Sequence, residues 1–412
     1  MSDGPAIDAQ RVIADLRELA RRTSDDAGAQ RLCWADGWRT ARDFLGELLG
    51  EIGLEPEIDE AGNAWAYLSG EREPALAVGS HLDSVPNGGW LDGALGVMGA
   101  LGVLRAWAEA EAQPPRTLAL VDWADEEGAR FGRSLFGSSA AAGTFDPAEL
   151  ATSRDADGRG AAEVLAENGV ELEGAVESSS RLERLGAYLE LHIEQGPVLE
   201  AEGIRAAAVS GCVGVERVRF LIGGRVSHAG TTPMDARHDA GLAAAATALR
   251  VEAIAAGEGG VATVGEIRFE PGIPTAVPGR ASMVVDLRHR SAEALSRMLD
   301  SAREAVAASA RERGCEVSEE SVWRIEPIAF DPDLVASARE ACELVTGTAY
   351  ELPSGALHDA ASMAPRVPTA MVFSPSIAGV SHAPEEDTAE PDLIAAIQAF
   401  GALVSTRITT AS

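Results

Sequence analysis

One stretch of the chain carries residue types suited to chemistry at close spacing. Gly79-Ser80-His81-Leu82-Asp83-Ser84-Val85 is followed by Gly88-Gly89-Trp90-Leu91-Asp92-Gly93. A neutral imidazole and a nearby carboxylate suit a divalent ion such as zinc. Asp83, two residues after His81, can hold the other ring nitrogen. The plain alternative is a polar loop with a stray histidine, and this stretch alone does not decide. A second stretch, Ala124-Asp125-Glu126-Glu127-Gly128, has adjacent carboxylates, which point different ways on any regular backbone. One can ligate a metal while its neighbour faces a water as general base, the division of labour of a metal-assisted hydrolysis. The alternative here is a solvated acidic turn, since Glu is common on surfaces. His192, in Tyr188-Leu-Glu-Leu-His192-Ile-Glu-Gln-Gly196, is a third candidate ligand, although a lone strand histidine is more often a satisfied core residue. His358 and His382 follow in Ser354-Gly355-Ala-Leu-His358-Asp359 and Gly379-Val-Ser-His382-Ala-Pro-Glu385.

The elements around these residues have to place them together. Ala75–Val78 is a short apolar run that reads as a buried strand, and Ala94–Ala112 is an Ala- and Leu-rich helix. His81, Asp83 and Asp92 then lie in a strand-to-helix loop, where open α/β sheets put their chemistry. Thr117–Trp123 reads as a buried strand that delivers Glu126 and Glu127 at its C-terminal end. Ile7–Arg22 and Trp38–Ile52 read as amphipathic helices, and Ala64–Leu68 as a strand. Residues 151 to 183 are polar and weakly patterned, and read as a helix-containing surface excursion.

The rhythm changes near Gly211. Strands at Glu216–Ile222, Val261–Phe269, Ala281–Arg288 and Glu316–Ile325 alternate with helices at Ala236–Ala256 and Ser291–Arg313. That β-α-β-β-α-β order is the ferredoxin-like split unit. A helix at Asp331–Val345, a buried strand at Pro368–Phe373 and a helix at Leu393–Val404 return the chain to the first domain. The expected class is α/β, a mixed-sheet catalytic domain with an inserted ferredoxin-like α+β domain. The expected boundaries are 1–212 and 328–412 for the catalytic domain and 213–327 for the insert.

Composition narrows the functions. A length of 412 residues allows one large domain or two with an ample core. The net charge of −31 argues against nucleic acid as a partner. No basic, apolar leader pattern and no long uncharged apolar run is evident, so neither a membrane span nor secretion is expected. The four cysteines (33, 212, 315, 342) form no CxxC, and free thiols in a reducing cytoplasm are the simplest reading. Every basic residue other than histidine is Arg, so a lysine Schiff base and a P-loop are both excluded.

Taken together, the stretches GSHLDSVPNGGWLDGALGV, DEEGARFGRSLFGS, LHIEQGPVLE, SHAGTTPMDARHDA, VPG with DLRH, SGALHDA and GVSHAPEE resemble the zinc-dependent amidohydrolases of the M20 metallopeptidase family. The resemblance is strongest to its N-carbamoyl-L-amino acid hydrolases, β-ureidopropionases and allantoate amidohydrolases, and it spans nearly the whole chain. It implies two divalent ions per subunit, zinc first, with manganese or cobalt as alternatives. Asp92 would bridge them, with Glu127 and His382 on one and His81 and His192 on the other. Glu126 would be the general base, and Asp83 would orient His81. The resemblance further implies a homodimer through the inserted domain, with His228 crossing the interface to stabilise the oxyanion. Arg288 would bind a carboxylate-bearing small substrate, with Gln195, Thr275, Gly355 and His358 as further substrate-side residues. Thr275 stands where the family usually has Asn in Asn-x-x-Pro-Gly. A hydroxyl lacks the amide's paired donor and acceptor, which leaves metal binding untouched and the choice among carbamoyl, ureido and simple amide substrates open. The contrasting expectation is a silent binding protein on the same fold, against which the presence of Glu126 beside all five ligands argues.

Overall fold

Leu118–Trp123 and Ala75–His81 are strands without a single exposed residue. Apolar runs of this kind, with no polar alternation, fit only a parallel sheet covered on both faces. The computed structural model describes residues 4–409 and builds that sheet. Four parallel strands lie side by side in the order Thr369–Ser374, Leu185–Ile193, Ala75–His81, Leu118–Trp123. Antiparallel strands extend it on both sides, with Ala64–Leu68 beside Leu118–Trp123 and Ala207–Cys212 beside Thr369–Ser374. The sheet is therefore mixed, and its parallel centre brings four C-terminal strand ends together.

Helix Ala94–Glu109 packs on Ala75–His81 and Leu185–Ile193. It comes close because of Gly96, where a Cβ would stand 2.4 Å from the Leu191 carbonyl oxygen. Helix Ala9–Thr23 covers it in turn, burying Val12, Ile13, Leu16 and Leu19 at helical spacing. Helices Pro332–Thr346 and Glu390–Thr409 pack on each other and on Thr369–Ser374.

The excursion expected for residues 151 to 183 is not confined to the surface. Helix Ala161–Glu167 and the 3-10 segment Leu172–Arg184 bury Val164, Leu165, Leu172 and Ala175 against Trp34, Trp38, Phe136 and Phe145. The apolar residues here are few and spaced by short turns, so no period shows in the sequence; the partners that cover them come from elsewhere in the chain.

The chain divides into two compact units, one of residues 1–210 with 329–412 and one of residues 211–328. The second holds four antiparallel strands in the order Val261–Glu270, Arg280–His289, Gly214–Gly223, Glu316–Ile325, which is the ferredoxin-like order. Helices Ala240–Glu258 and Ala292–Arg311 close its core over Val218, Phe220, Ile222, Met283, Val285 and Leu287. Helix Ala240–Glu258 is also long and apolar enough to cross a membrane by length and composition. Its buried face, however, packs on this sheet, and it carries Arg250 and Glu252.

Candidate active site

Strand register sets the first contacts. His81 ends its strand level with Trp123, and the chain beyond Trp123 reaches Glu126 and Glu127 three and four residues later. His192 is level with Phe373, so the chain leaving Ser374 passes above it on the way to His382. Asp92 is delivered by the turn into helix Ala94–Glu109, and that turn requires glycine. Gly93 has φ +63°, and a Cβ there would stand 2.4 Å from the His81 ring.

Five predicted ligands converge. Asp92 Oδ1 lies 3.2 Å from His192 Nε2 and 3.7 Å from His81 Nε2. Its other oxygen lies 3.4 Å from His382 Nε2, which is itself 3.5 Å from Glu127 Oε2. These form two donor groups, His81–Asp92–His192 and Asp92–Glu127–His382, that share Asp92. Glu126 Oε2 is 3.7 Å from His81 Nε2, beside the first group. The Asp83 carboxylate accepts the backbone N–H groups of Glu126 and Glu127, each at 3.2 Å, and its Oδ1 lies 3.5 Å from His81 Nδ1. It thus ties the acidic turn to the first histidine. His382 is half exposed while His81, Asp92 and His192 are buried, so the site opens on the His382 side.

The donor set is short of positive charge. His81 and His192 each engage a backbone carbonyl through Nδ1, at 3.1 Å to Asp83 and 2.9 Å to Ile193. Those bonds put one ring proton on Nδ1 and aim Nε2 at Asp92; against burial, Glu126 holds His81 and Asp92 holds His192 above the usual histidine range. His192 Nε2 is buried and has no hydrogen-bond partner. Two lone-pair atoms at 3.2 Å repel unless a proton or a cation stands between them. The groups respond by holding protons. Burial and then Asp92 push Glu127 up to about 7. Burial raises Glu126 well above the usual carboxylate range. The bond to Asp92 lifts His382 to about 9. Cations would relieve all of these groups at once, and imidazole with carboxylate is a donor mixture that zinc and its neighbours accept. The residues therefore fit two divalent ions.

The model of Peptidase family M20/M25/M40 matches residues 77–406. The chain belongs to this family. An N-carbamoyl-L-amino-acid amidohydrolase of Paenarthrobacter aurescens is 37% identical over 399 residues, covering 93% of this chain and 94% of that protein. The allantoate amidohydrolase of Bacillus subtilis is 33% identical, covering 92% of each. The crystal structure of an amidase of the hydantoinase/carbamoylase family from Burkholderia multivorans superposes with a TM-score of 0.90 at 33% identity, covering 99% of each chain.

The remaining predicted residues of this M20-family chain divide between the units. In the first unit, Gln195 Nε2 donates to Asp92 Oδ2 at 2.8 Å, so its amide is committed to a candidate ligand. His358 is buried behind His192, with ring centroids 4.4 Å apart, and its Nε2 meets Ser354 Oγ at 2.9 Å. Burial and then His192 hold His358 well below the usual histidine range, so it forms a neutral wall. Gly355 lies in the same loop. In the second unit, His228 and Thr275 are neighbours: Ser227–His228 pairs with Ala276–Val277, and the Thr275 carbonyl accepts the Ala229 N–H. Arg288 lies near the opposite end of strand Arg280–His289, about 26 Å along it at strand rise, with its Nε on Asp286 at 2.8 Å. Arg217 holds the other Asp286 oxygen.

Three polar residues of the site were not singled out from sequence. Glu386 lies in the stretch GVSHAPEE, four residues after His382, and Asp359 in SGALHDA, directly after His358. Asp359 is fully buried, and burial, then Glu190, pushes it well above the usual carboxylate range. Arg31 is fully buried, its Nε donating to the Leu82 carbonyl at 2.7 Å. A single arginine in a loop before a helix carries no signal of that burial.

Proposed function

We propose that the chain is a binuclear metal-dependent amidohydrolase that cleaves the carbamoyl C–N bond of N-carbamoyl-L-amino acids. The observation that carries this is the convergence of His81, Asp92, Glu127, His192 and His382 with Glu126 beside them. Its support from outside the chain is the N-carbamoyl-L-amino-acid amidohydrolases among its relatives. Two divalent ions, zinc first and manganese or cobalt as alternatives, would be held by the two groups sharing Asp92 and would acidify water and polarise the scissile carbonyl. Glu126 accepts the proton of the attacking water and returns it to the leaving nitrogen. Asp83 fixes the Glu126–Glu127 turn and, with its backbone carbonyl, the tautomer of His81.

Arg288, with its guanidinium pinned by Asp286, receives the substrate carboxylate. His228 Nδ1 accepts the N–H groups of Gly230 and Thr231 at 3.1 and 3.2 Å. Its proton therefore resides on Nε2, the form that donates to a developing oxyanion. Within one copy of the inserted unit His228 and Arg288 sit too far apart to touch one small substrate. This supports a homodimer in which His228 is supplied by the partner subunit. The outer strand Glu316–Ile325, with Val317, Val322 and Trp323 exposed, is the edge we assign to that contact. We take 213–327 as the inserted domain and the cytoplasm as its compartment, consistent with four free cysteines.

A second reading has allantoate or ureidoglycolate as the substrate; it rests on the relatives of similar identity that carry those names, and Thr275 does not decide between the two. Turnover of N-carbamoyl-L-amino acids, allantoate and ureidoglycolate with zinc, manganese and cobalt separates the two. The expected result is metal-dependent release of the free amino acid; turnover of allantoate alone would select the second reading.

A further inference from the structure

Glu386 is 1% exposed and lies behind the ligands. Its Oε1 accepts the backbone N–H groups of Leu91 at 3.2 Å and Asp92 at 2.9 Å. Its Oε2 accepts the Ser381 hydroxyl at 2.9 Å and the His382 backbone N–H at 3.3 Å. One carboxylate thus binds the loop that presents Asp92 to the loop that presents His382, which come from opposite ends of the sequence. Four donors converge on two oxygens, an arrangement that an ionised carboxylate satisfies and an amide cannot. The space is built for it: at Gly89 a Cβ would stand 2.0 Å from Glu386 Oε1. Arg31 braces the same loop from behind, its Nη2 reaching the Gly89 carbonyl at 3.4 Å.

We propose that Glu386 is a positioning residue that sets the distance between Asp92 and His382, and so the affinity of the ion those two hold with Glu127. The inference rests on the binuclear reading above. It differs from the roles of the ligands because Glu386 holds the backbone N–H groups of Leu91, Asp92 and His382 and the Ser381 hydroxyl. Partners that orient metal ligands typically contribute 10–100-fold to metal affinity. Glu386→Gln keeps the shape and removes acceptors on one side, so about that loss is expected at one ion while the other stays bound.

The test titrates zinc into metal-free protein against a chromophoric chelator, for wild type and Glu386→Gln. Wild type is expected to bind two ions, and the variant one tightly and one roughly 10–100-fold more weakly. In turnover, excess zinc should restore kcat of the variant with KM unchanged, a recovery that a general loss of packing would not show. Glu386→Asp, which keeps the charge but shortens the reach to both loops, is the second variant should Glu386→Gln fold poorly; a smaller loss at the same ion is expected. Wild-type affinity for both ions in either variant would overturn the role of Glu386. Wild type binding no zinc would instead overturn the binuclear reading.

Discussion

Glu126→Gln separates the base from everything else at the site. The substitution is isosteric, so packing is kept. Burial holds Glu126 above its ordinary range; His81 opposes it, and the charges of Asp359, Glu127 and Asp83 add to it. Removing that carboxylate therefore relieves repulsion in the metal-free protein and should leave its Tm equal or higher. Turnover should move the other way. A positioned base contributes about 10²–10⁴-fold, which is about 2.7–5.4 kcal/mol of barrier, and a neutral amide cannot take the water's proton. The assay is kcat at saturating substrate, with metal content measured on the same sample and Tm measured after metal removal. Metal content matters because His81 Nε2 is 3.7 Å from both Glu126 and Asp92. Loss of an ion would make Glu126 a ligand. A kcat within tenfold of wild type, with both ions bound, would remove Glu126 from the chemistry. Either result refutes the assignment.

Asp83→Ala leaves two buried N–H groups without their acceptor, at about 1–3 kcal/mol each; denaturant unfolding of the metal-free protein should show the loss, and Asp83→Asn a smaller one. Arg288→Ala should lower kcat/KM about thirtyfold, near 2 kcal/mol and at the low end for truncating a charge pair because Arg288 is partly exposed. An amide analogue without the substrate carboxylate should be nearly unaffected, and equal losses for both would make Arg288 structural. Light scattering at micromolar concentration should give a dimer; a monomer would remove His228 as a partner-supplied group.

What was legible in the sequence follows from what has a period or a fixed place. The strands Ala64–Leu68 and Glu316–Ile325 have the bounds their patterns predict, and the other expected elements begin or end within a few residues of theirs; the sheet strand Ala207–Cys212 and the short elements were not expected. His81, Glu127 and His192 were legible because each stands at or just past the end of an apolar strand. Glu386, Arg31 and the core under residues 161–175 were not. Their partners are fixed by tertiary approach: Glu386 meets backbone N–H groups nearly 300 residues away, and no local pattern encodes such a bond. Glu386 had one usable sign, a second acidic residue just after a ligand histidine, which reads equally well as a solvated turn.

The backbone around the ligands shows why these loops resist simple pattern reading. Asp125 precedes the two glutamates with φ +55°, Gln195 follows His192 with φ +58°, and His382 itself has φ +57°. Gly93, after Asp92, also has a positive φ, with ψ −46°. A chain leaving the end of a parallel strand runs away from the sheet, and a left-handed residue turns it within one position so that a side chain points back over the strand ends. Side-chain residues in that conformation cost about 1–2 kcal/mol each, so three of them cost several kcal/mol together. A structural zinc ion contributes roughly 10 kcal/mol or more on binding. The strain is smaller than that, so a backbone geometry unfavourable for the bare protein is one that bound cations would offset.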